Sequence, residues 1–451
     1  MKNLPPVPSL TKILGPSFIL LGLALGSGEL VMWPYLSASW GMGIIWGALV
    51  GITFQYFLNT EIIRYALYWG ESVFVGFYRL AKFLPFWFIF STFIPWSLPG
   101  FSSAAGEIFS RIFGWENQKI FAIFLLLFVG LVLTLGKVLY KTMETIQKTV
   151  ILFVIPFILF LVAIFTSRQD WLDLAWGMVG RGEDFWFLPA GISIASFLAA
   201  VAYAGAGGNL NLAQSYYVKE KGMAAGRWAV KIRSLIFNRQ QKGLLTGKGF
   251  PKDEKNKKLF WQWWRLSQKE HFLIFLLSGF LTIVLLAILA KTLVFGFASP
   301  REIEFLYQEA GVIGQRLGSI FGLLFLVVAG VMLYSTQIGV LESSSRIISE
   351  NLALAKNGLA KKVNLALYFY LALWGQILLG IILLSLGFTQ PRFLLTLSAV
   401  LNALAMTVCF PLIWYLNRRR LDKEFQMGGV RKLIFLLATA FFVFFDLKLL
   451  K

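Results

Sequence analysis

The strongest pattern along the chain is a series of apolar runs, each near the length of a membrane-crossing helix, joined by short polar connections. About twenty consecutive apolar residues in a helix cross the ~30 Å hydrocarbon layer of a bilayer. The runs predict eleven spans, over 15–37, 42–66, 84–109, 119–136, 147–166, 186–217, 271–297, 317–345, 364–386, 392–416 and 430–447. Polar interruptions inside these runs are few, so each one is informative. The first is Gly26-Ser27-Gly28-Glu29, in the middle of span 1. A carboxylate at bilayer depth costs roughly 2.5–3.5 kcal/mol to insert, which marks Glu29 as a functional candidate. Glycines on both sides of Ser27 weaken the helix there, so span 1 is expected to break and open its backbone to a solute.

The connections assign sides. With the N-terminal segment 1–14 on the cytoplasmic side, the inner loops hold 32 Lys and Arg, the outer loops hold 9, and Lys291 lies within a span. That asymmetry follows the positive-inside rule and places the C-terminus outside, in a multi-pass protein of the plasma membrane. Composition agrees: 58% of the 451 residues are hydrophobic and 14% charged, where a soluble domain has about 25% charged. The net charge of +20 therefore reports sidedness, and nucleic acid is not an expected partner. Acidic residues gather in the outer loops (Asp170, Asp173, Glu183, Asp184, Glu302, Glu304, Glu309).

The largest basic connection, 218–270, has 14 Lys and Arg against 4 acids. Its stretch from Lys242 to Lys258, with several glycines and Pro251, is expected to be flexible. The tryptophan-rich run Lys257–Arg265 then predicts an interfacial helix on anionic lipid headgroups, or a generic basic flank of the next span.

Spans 1–5 (15–166) and 6–10 (186–416) begin on opposite sides, which defines an inverted repeat of two five-helix halves, with span 11 (430–447) appended. The repeat requires a second break in span 6, and Tyr203-Ala204-Gly205-Ala206-Gly207-Gly208-Asn209-Leu210-Asn211 supplies it. Small residues also line helix–helix contacts in membranes, but two such runs at corresponding places favour a midplane site. The candidate binding residues are Gly26, Ser27, Gly28 and Glu29 of span 1, Ala206, Gly207, Gly208 and Asn209 of span 6, and Gln337 of span 8. Glu29 and Asn209 are the candidate metal ligands. Glu61 with Arg64, Glu342 with Arg346, and Glu107 near Arg111 are candidate coupling or gating pairs, or plain intrahelical pairs.

Several of these stretches match a known pattern. Gly15-Pro16-Ser17, then eight residues, then Gly26-Ser27-Gly28-Glu29, resembles the first span of Nramp-type transporters. Leu58-Asn59-Thr60-Glu61-Ile62-Ile63-Arg64 ending at Gly70, the Lys141 and Glu144 pair, Asn209-Leu210, and Ser335-Thr336 with Gly339 resemble later parts of that family. The resemblance implies an all-α, LeuT-type fold with broken helices 1 and 6, and solute transport by alternating access. It also implies departures. The family's metal-binding Asp and Asn fall at Gly26 and Glu29, its Met-Pro-His falls at Ala206-Gly207-Gly208, its acidic pair falls near Leu98 and Phe101, and a histidine falls near Ala213. Loss of the soft thioether leaves oxygen ligands, which suit magnesium or manganese. Gly-Ser-Gly also looks like the substrate loop of amino-acid permeases in the wider APC superfamily.

One cysteine, Cys409, and one histidine, His271, allow neither a disulfide framework nor a Cys/His metal site. No motif of an enzyme is present, and no cofactor is expected beyond a transported or coupling ion. The expected function is a secondary transporter of a divalent cation, with a proton as possible coupling ion. A small organic acid or amino acid is the alternative cargo. A transport-inactive membrane sensor or scaffold, signalling through loop 218–270, is the third reading.

Overall fold

The computed structural model describes residues 1–136, 138–229, 242–296 and 303–449. The part of the basic loop at 230–241, and Glu302, lie outside these. Among the described residues, eight continuous helices are long and apolar enough to cross a membrane. They are span 1 (Pro16–Trp40), span 2 (Met42–Trp69), span 4 (Gln118–Leu135), span 5 (Leu139–Phe165), span 7 (Glu254–Val294), span 8 (Ser319–Asn357), span 9 (Leu365–Ser385) and span 10 (Pro391–Arg420).

The three remaining expected spans differ for physical reasons. Span 3 is split into Leu84–Trp96 and Gly100–Ile112, where Pro95 and Pro99 each remove a backbone donor. Span 6 is split into Ile194–Ala202 and Gln214–Lys221. Span 11 is one helix, Gly429–Leu449, whose ends carry Arg431, Lys432, Asp446 and Lys448.

The burial pattern is that of an all-α integral membrane protein. Span 1 is 94% buried over its most apolar stretch, against 33% for spans 4 and 5. Span 1 therefore runs through the centre and spans 4 and 5 lie outside it. The exposed faces of the outer helices are apolar, with Phe124, Phe128, Leu131 and Leu135 on span 4 and Leu371 and Leu378 on span 9. Lipid tails cover such faces without cost. The end of the bundle carrying loop 218–270 is the basic end, and the opposite end, with Asp170, Asp173, Glu183 and Asp184, is the acidic end.

Three expectations change. Span 1 does not unwind: it passes from α-helix (Pro16–Ala24) into a π-helical stretch, Leu25–Met32, and returns to α-helix at Trp33. The tryptophan-rich segment is helical, but it is the first part of span 7, and Trp263 and Trp264 are buried within the protein. At 1.5 Å per residue the 41-residue span 7 is about 60 Å long, so about half of it projects beyond the bilayer. The connection before it is docked where flexibility was expected. Gly243 bridges to Val363, the Gly247 amide donates to Glu71 (2.8 Å), and the Gly249 amide donates to the Trp69 carbonyl (3.1 Å).

Candidate functional site

The site begins with the altered geometry of span 1. The Gly26 amide donates to Thr336 Oγ1 (2.9 Å), and the same hydroxyl donates to the Gly22 carbonyl (2.9 Å). In an α-helix Gly26 would bond Gly22 directly. A side chain from span 8 has entered the ladder, which is a recognised cause of local helix distortion, and the π-helical stretch starts one residue earlier. Gly28 is required by close approach: a Cβ there would stand 1.8 Å from the Tyr203 carbonyl oxygen. The π-helical stretch of span 1 thus touches span 6 where the latter begins to break. Ser27 turns back on its own helix, with its hydroxyl on the Ala24 carbonyl (3.3 Å).

Glu29 is fully buried, and among the described residues neither carboxylate oxygen has a hydrogen-bond partner. It faces span 7, where a Cβ on Gly279 would lie 3.7 Å from Glu29 Oε1 and within 3.0 Å of Ile52 and Leu21 side-chain carbons. Thr282 is near enough to act on the carboxyl, but its hydroxyl donates to the Ser278 carbonyl at 2.8 Å. A charged carboxylate with apolar neighbours and no partner is costly, so this group needs a proton or a cation.

Span 6 does break. Its first helix ends at Ala202, Gly207 and Gly208 take positive φ (77° and 49°), and a 3-10 turn runs from Gly208 to Ala213. The freed backbone groups are claimed by Gln55 of span 2. Its amide nitrogen donates to the Ala202 carbonyl (3.1 Å), and its oxygen accepts from the Gly207 amide and from Asn211 Nδ2 (3.1 Å each). Gln55 was missed from sequence, though a lone Gln amid the apolar residues of span 2 is the signal that marks it. Ala206 and Gly208 are buried at the break.

The remaining candidates face other partners. Asn209 donates to Ser91 (2.8 Å) and Thr92 (3.0 Å) of span 3 and accepts from Cys409 Sγ of span 10 (3.4 Å). Glu29 and Asn209, the expected ligand pair, therefore point to different helices. Among the described residues no group of three or more His, Cys, Asp or Glu is placed to hold a metal ion. Gln337 Oε1 accepts from the Ser102 amide (3.1 Å), which caps the second half of span 3.

Two of the expected pairs form, Glu61 with Arg64 and Glu342 with Arg346, whereas Glu107 and Arg111 take Tyr307 and Glu304 as partners. Arg64 donates twice to Glu61 (2.9 and 3.0 Å), and Arg431 of span 11 (3.1 Å) and Asn417 of span 10 (3.2 Å) donate to the same carboxylate. Arg64 also lies 4.0 Å over the Trp264 ring. This cluster ties spans 2, 7, 10 and 11 together. Arg346 of span 8 bridges Glu342 of its own helix and Glu220 of span 6, with all three side chains buried. Tyr217 of span 6 donates to Glu342 (3.0 Å). Nearby, Glu350 accepts from Ser72 and has Lys219 Nζ at 3.8 Å. At the acidic end, Glu107 accepts from Tyr307 (3.4 Å), and Arg111 reaches Glu304 (3.9 Å). Outside the spans, Asp170 is held below its usual carboxylate range: burial opposes this, but Ser167 and Lys291 outweigh it.

No protein-family model matches the sequence, and no curated protein matches it. Solved structures do. A point mutant of a manganese transporter from Eremococcus coleocola aligns with a TM-score of 0.68 at 12% identity, covering 98% of this chain and 88% of that one. MHP1, described as a nucleobase-cation-symport-1 family transporter, aligns with a TM-score of 0.58 at 12% identity, covering 99% and 89%. MhsT in complex with L-phenylalanine aligns with a TM-score of 0.50 at 14% identity, covering 96% and 98%. The expected Nramp-type membership is corrected by these findings. The likeness extends to transporters of different kinds at identities that show a fold and no particular family. What the chain shares with them is the LeuT-type fold.

Proposed function

We propose that this protein is a secondary active transporter that works by alternating access, with Glu29 as its coupling group. The observation that carries this reading is the Glu29 carboxylate, fully buried and without a partner, beside the contact of spans 1 and 6. The matched structures include a manganese transporter and a nucleobase-cation-symport-1 family transporter, which supports the same reading.

The geometry favours a cation over an anion as cargo. Two amides at the altered helices are already bonded, Gly26 to Thr336 and Gly207 to Gln55, which leaves fewer free donors for a carboxylate substrate. Among the described residues, the unsatisfied carboxylate beside the contact of spans 1 and 6 is that of Glu29. Oxygen donors without a thioether suit a divalent cation of the magnesium or manganese type, and a manganese transporter is among the matched structures. In this arrangement, where no cation ligand among the described residues faces it, Glu29 takes a proton. Cation entry requires Asn209 to leave Ser91, Thr92 and Cys409 and to turn toward Glu29.

The topology proposed is N-terminus and basic end in the cytoplasm, C-terminus outside, in the plasma membrane. The Arg346 and Glu61 clusters then close the cytoplasmic side. Exposed Arg265 and Lys269, just before the apolar part of span 7, face anionic headgroups. Uptake by proteoliposomes, compared across divalent cations, amino acids and organic acids, tests the reading. Divalent flux lost in Glu29→Gln is expected. Flux of an amino or organic acid with none of any divalent cation would overturn the cargo assignment.

A further inference from the structure

A cavity of about 550 Å³ opens at the basic end, away from the altered helices. Lys2, Lys219, Lys248 and Lys362 line it together with Trp228 and Leu245, and no carboxylate is among its described lining residues. Its volume is in the range of about 300–1,000 Å³ that small-molecule sites occupy. Lys2, Lys248 and Lys362 are exposed, and Lys2 Nζ stands 4.3 Å over the Trp228 ring, which is itself half exposed.

Lys219 connects this pocket to the closure of the basic end. It is buried, it lies on the second helix of span 6, and its ion partner is Glu350 at 3.8 Å. That separation is beyond hydrogen-bonding distance, so the pair is loose. Glu350 itself takes the Ser72 hydroxyl.

We propose that this pocket binds a phosphate-bearing anion, which draws Lys219 away from Glu350 and loosens the closure of the basic end. The ammonium groups of Lys2, Lys248 and Lys362, with no ion partner among the described residues, repel one another and the loosely paired Lys219, and a multivalent phosphate answers all four together. The half-exposed Trp228 face offers a flat apolar surface to the rest of the ligand. A soluble nucleotide and an anionic lipid headgroup share this chemistry. The binding stands without the transport reading, whereas the effect on closure rests on it.

The test uses the full chain. In uncharged detergent, inorganic pyrophosphate and ATP are titrated by calorimetry. In parallel, native mass spectrometry follows anionic phospholipid retained from mixed-lipid nanodiscs. Saturable binding of the soluble probes identifies a free phosphate compound, and retention of anionic lipid alone identifies a headgroup. In either case Lys248→Ser/Lys362→Ser, which alters exposed side chains, is expected to weaken binding by about tenfold or more. Glu350→Gln, which frees Lys219, is expected to tighten it several-fold. Absence of binding in both arms, or wild-type affinity in the double lysine variant, would overturn the site. Unchanged or weaker binding in Glu350→Gln would overturn the link to closure.

Discussion

Replacing Arg346 with methionine is expected to shift the protein toward a state open at the basic end. Arg346 is fully buried and is the counter-charge for both Glu342 and Glu220, one on span 8 and one on span 6. Removing one partner of a buried ion pair typically costs about 3–5 kcal/mol, because the remaining charge is left uncompensated. Here two carboxylates lose their partner, while Tyr217 still donates to one of them. The penalty applies only where both carboxylates remain buried. In a conformation that separates spans 6 and 8 at this end, water reaches them. The closed state alone is therefore penalised, and about 3 kcal/mol shifts a two-state equilibrium by on the order of a hundredfold. The assay is alkylation of a buried reporter. Cys409, the single native cysteine, is replaced by alanine, and Ser215, fully buried on the second helix of span 6, is replaced by cysteine. Arg346→Met should raise the alkylation rate of Ser215→Cys by about tenfold or more, with the helical content retained. A folded Arg346→Met variant whose reporter reacts at the background rate would refute the reasoning.

Other consequences can be measured separately. Thr336→Val leaves the Gly26 amide and the Gly22 carbonyl without their shared partner. A loss of about 1–3 kcal/mol in unfolding free energy is expected, with Thr336→Ser near wild type, and an equal effect of both would count against the inserted hydroxyl. Gln55→Leu removes the amide that holds both sides of the span 6 break, so uptake should fall with the fold retained in circular dichroism. Lys252 lies 3.4 Å over Tyr68 and 3.7 Å over Phe250, and burial pulls its ammonium down to about 8 against the opposing pull of Asp422 and Glu424. A lysine lowered on docking stabilises the docked segment fully above its free value near 10.5 and loses that contribution as pH falls through about 8. Protection of the Gly247 and Gly249 amides, corrected for intrinsic exchange, should rise between about pH 7 and pH 9.5 and become flat in Lys252→Met.

Much of the fold was legible because hydrophobic run length alone defines membrane spans. The break in span 6 was legible for a local reason: Gly207 and Gly208 adopt backbone angles that favour glycine. Span 1 shows the limit of the same argument. Its glycines were expected to open the helix, but they admit Tyr203 and Leu333 at close range, and the departure from α-geometry comes from a hydroxyl 310 residues away in sequence. Nothing near Gly26 announces Thr336. The i,i+3 and i,i+4 spacing marks Glu61–Arg64 and Glu342–Arg346, though the same spacing did not pair Glu107 with Arg111; Glu220 and Arg431, which make the first two interhelical, are not local to them. Trp263 and Trp264 carried the composition of an interfacial segment and are core residues of a long helix, a distinction that packing decides.

The central claim is that the unpartnered Glu29 couples cation movement to a proton. The most direct measurement records divalent-cation flux and proton flux together in proteoliposomes of the wild type and of Glu29→Gln. The account predicts that the wild type moves protons whenever it moves the cation and that Glu29→Gln abolishes the proton movement. Wild-type proton coupling in a folded Glu29→Gln protein would contradict it.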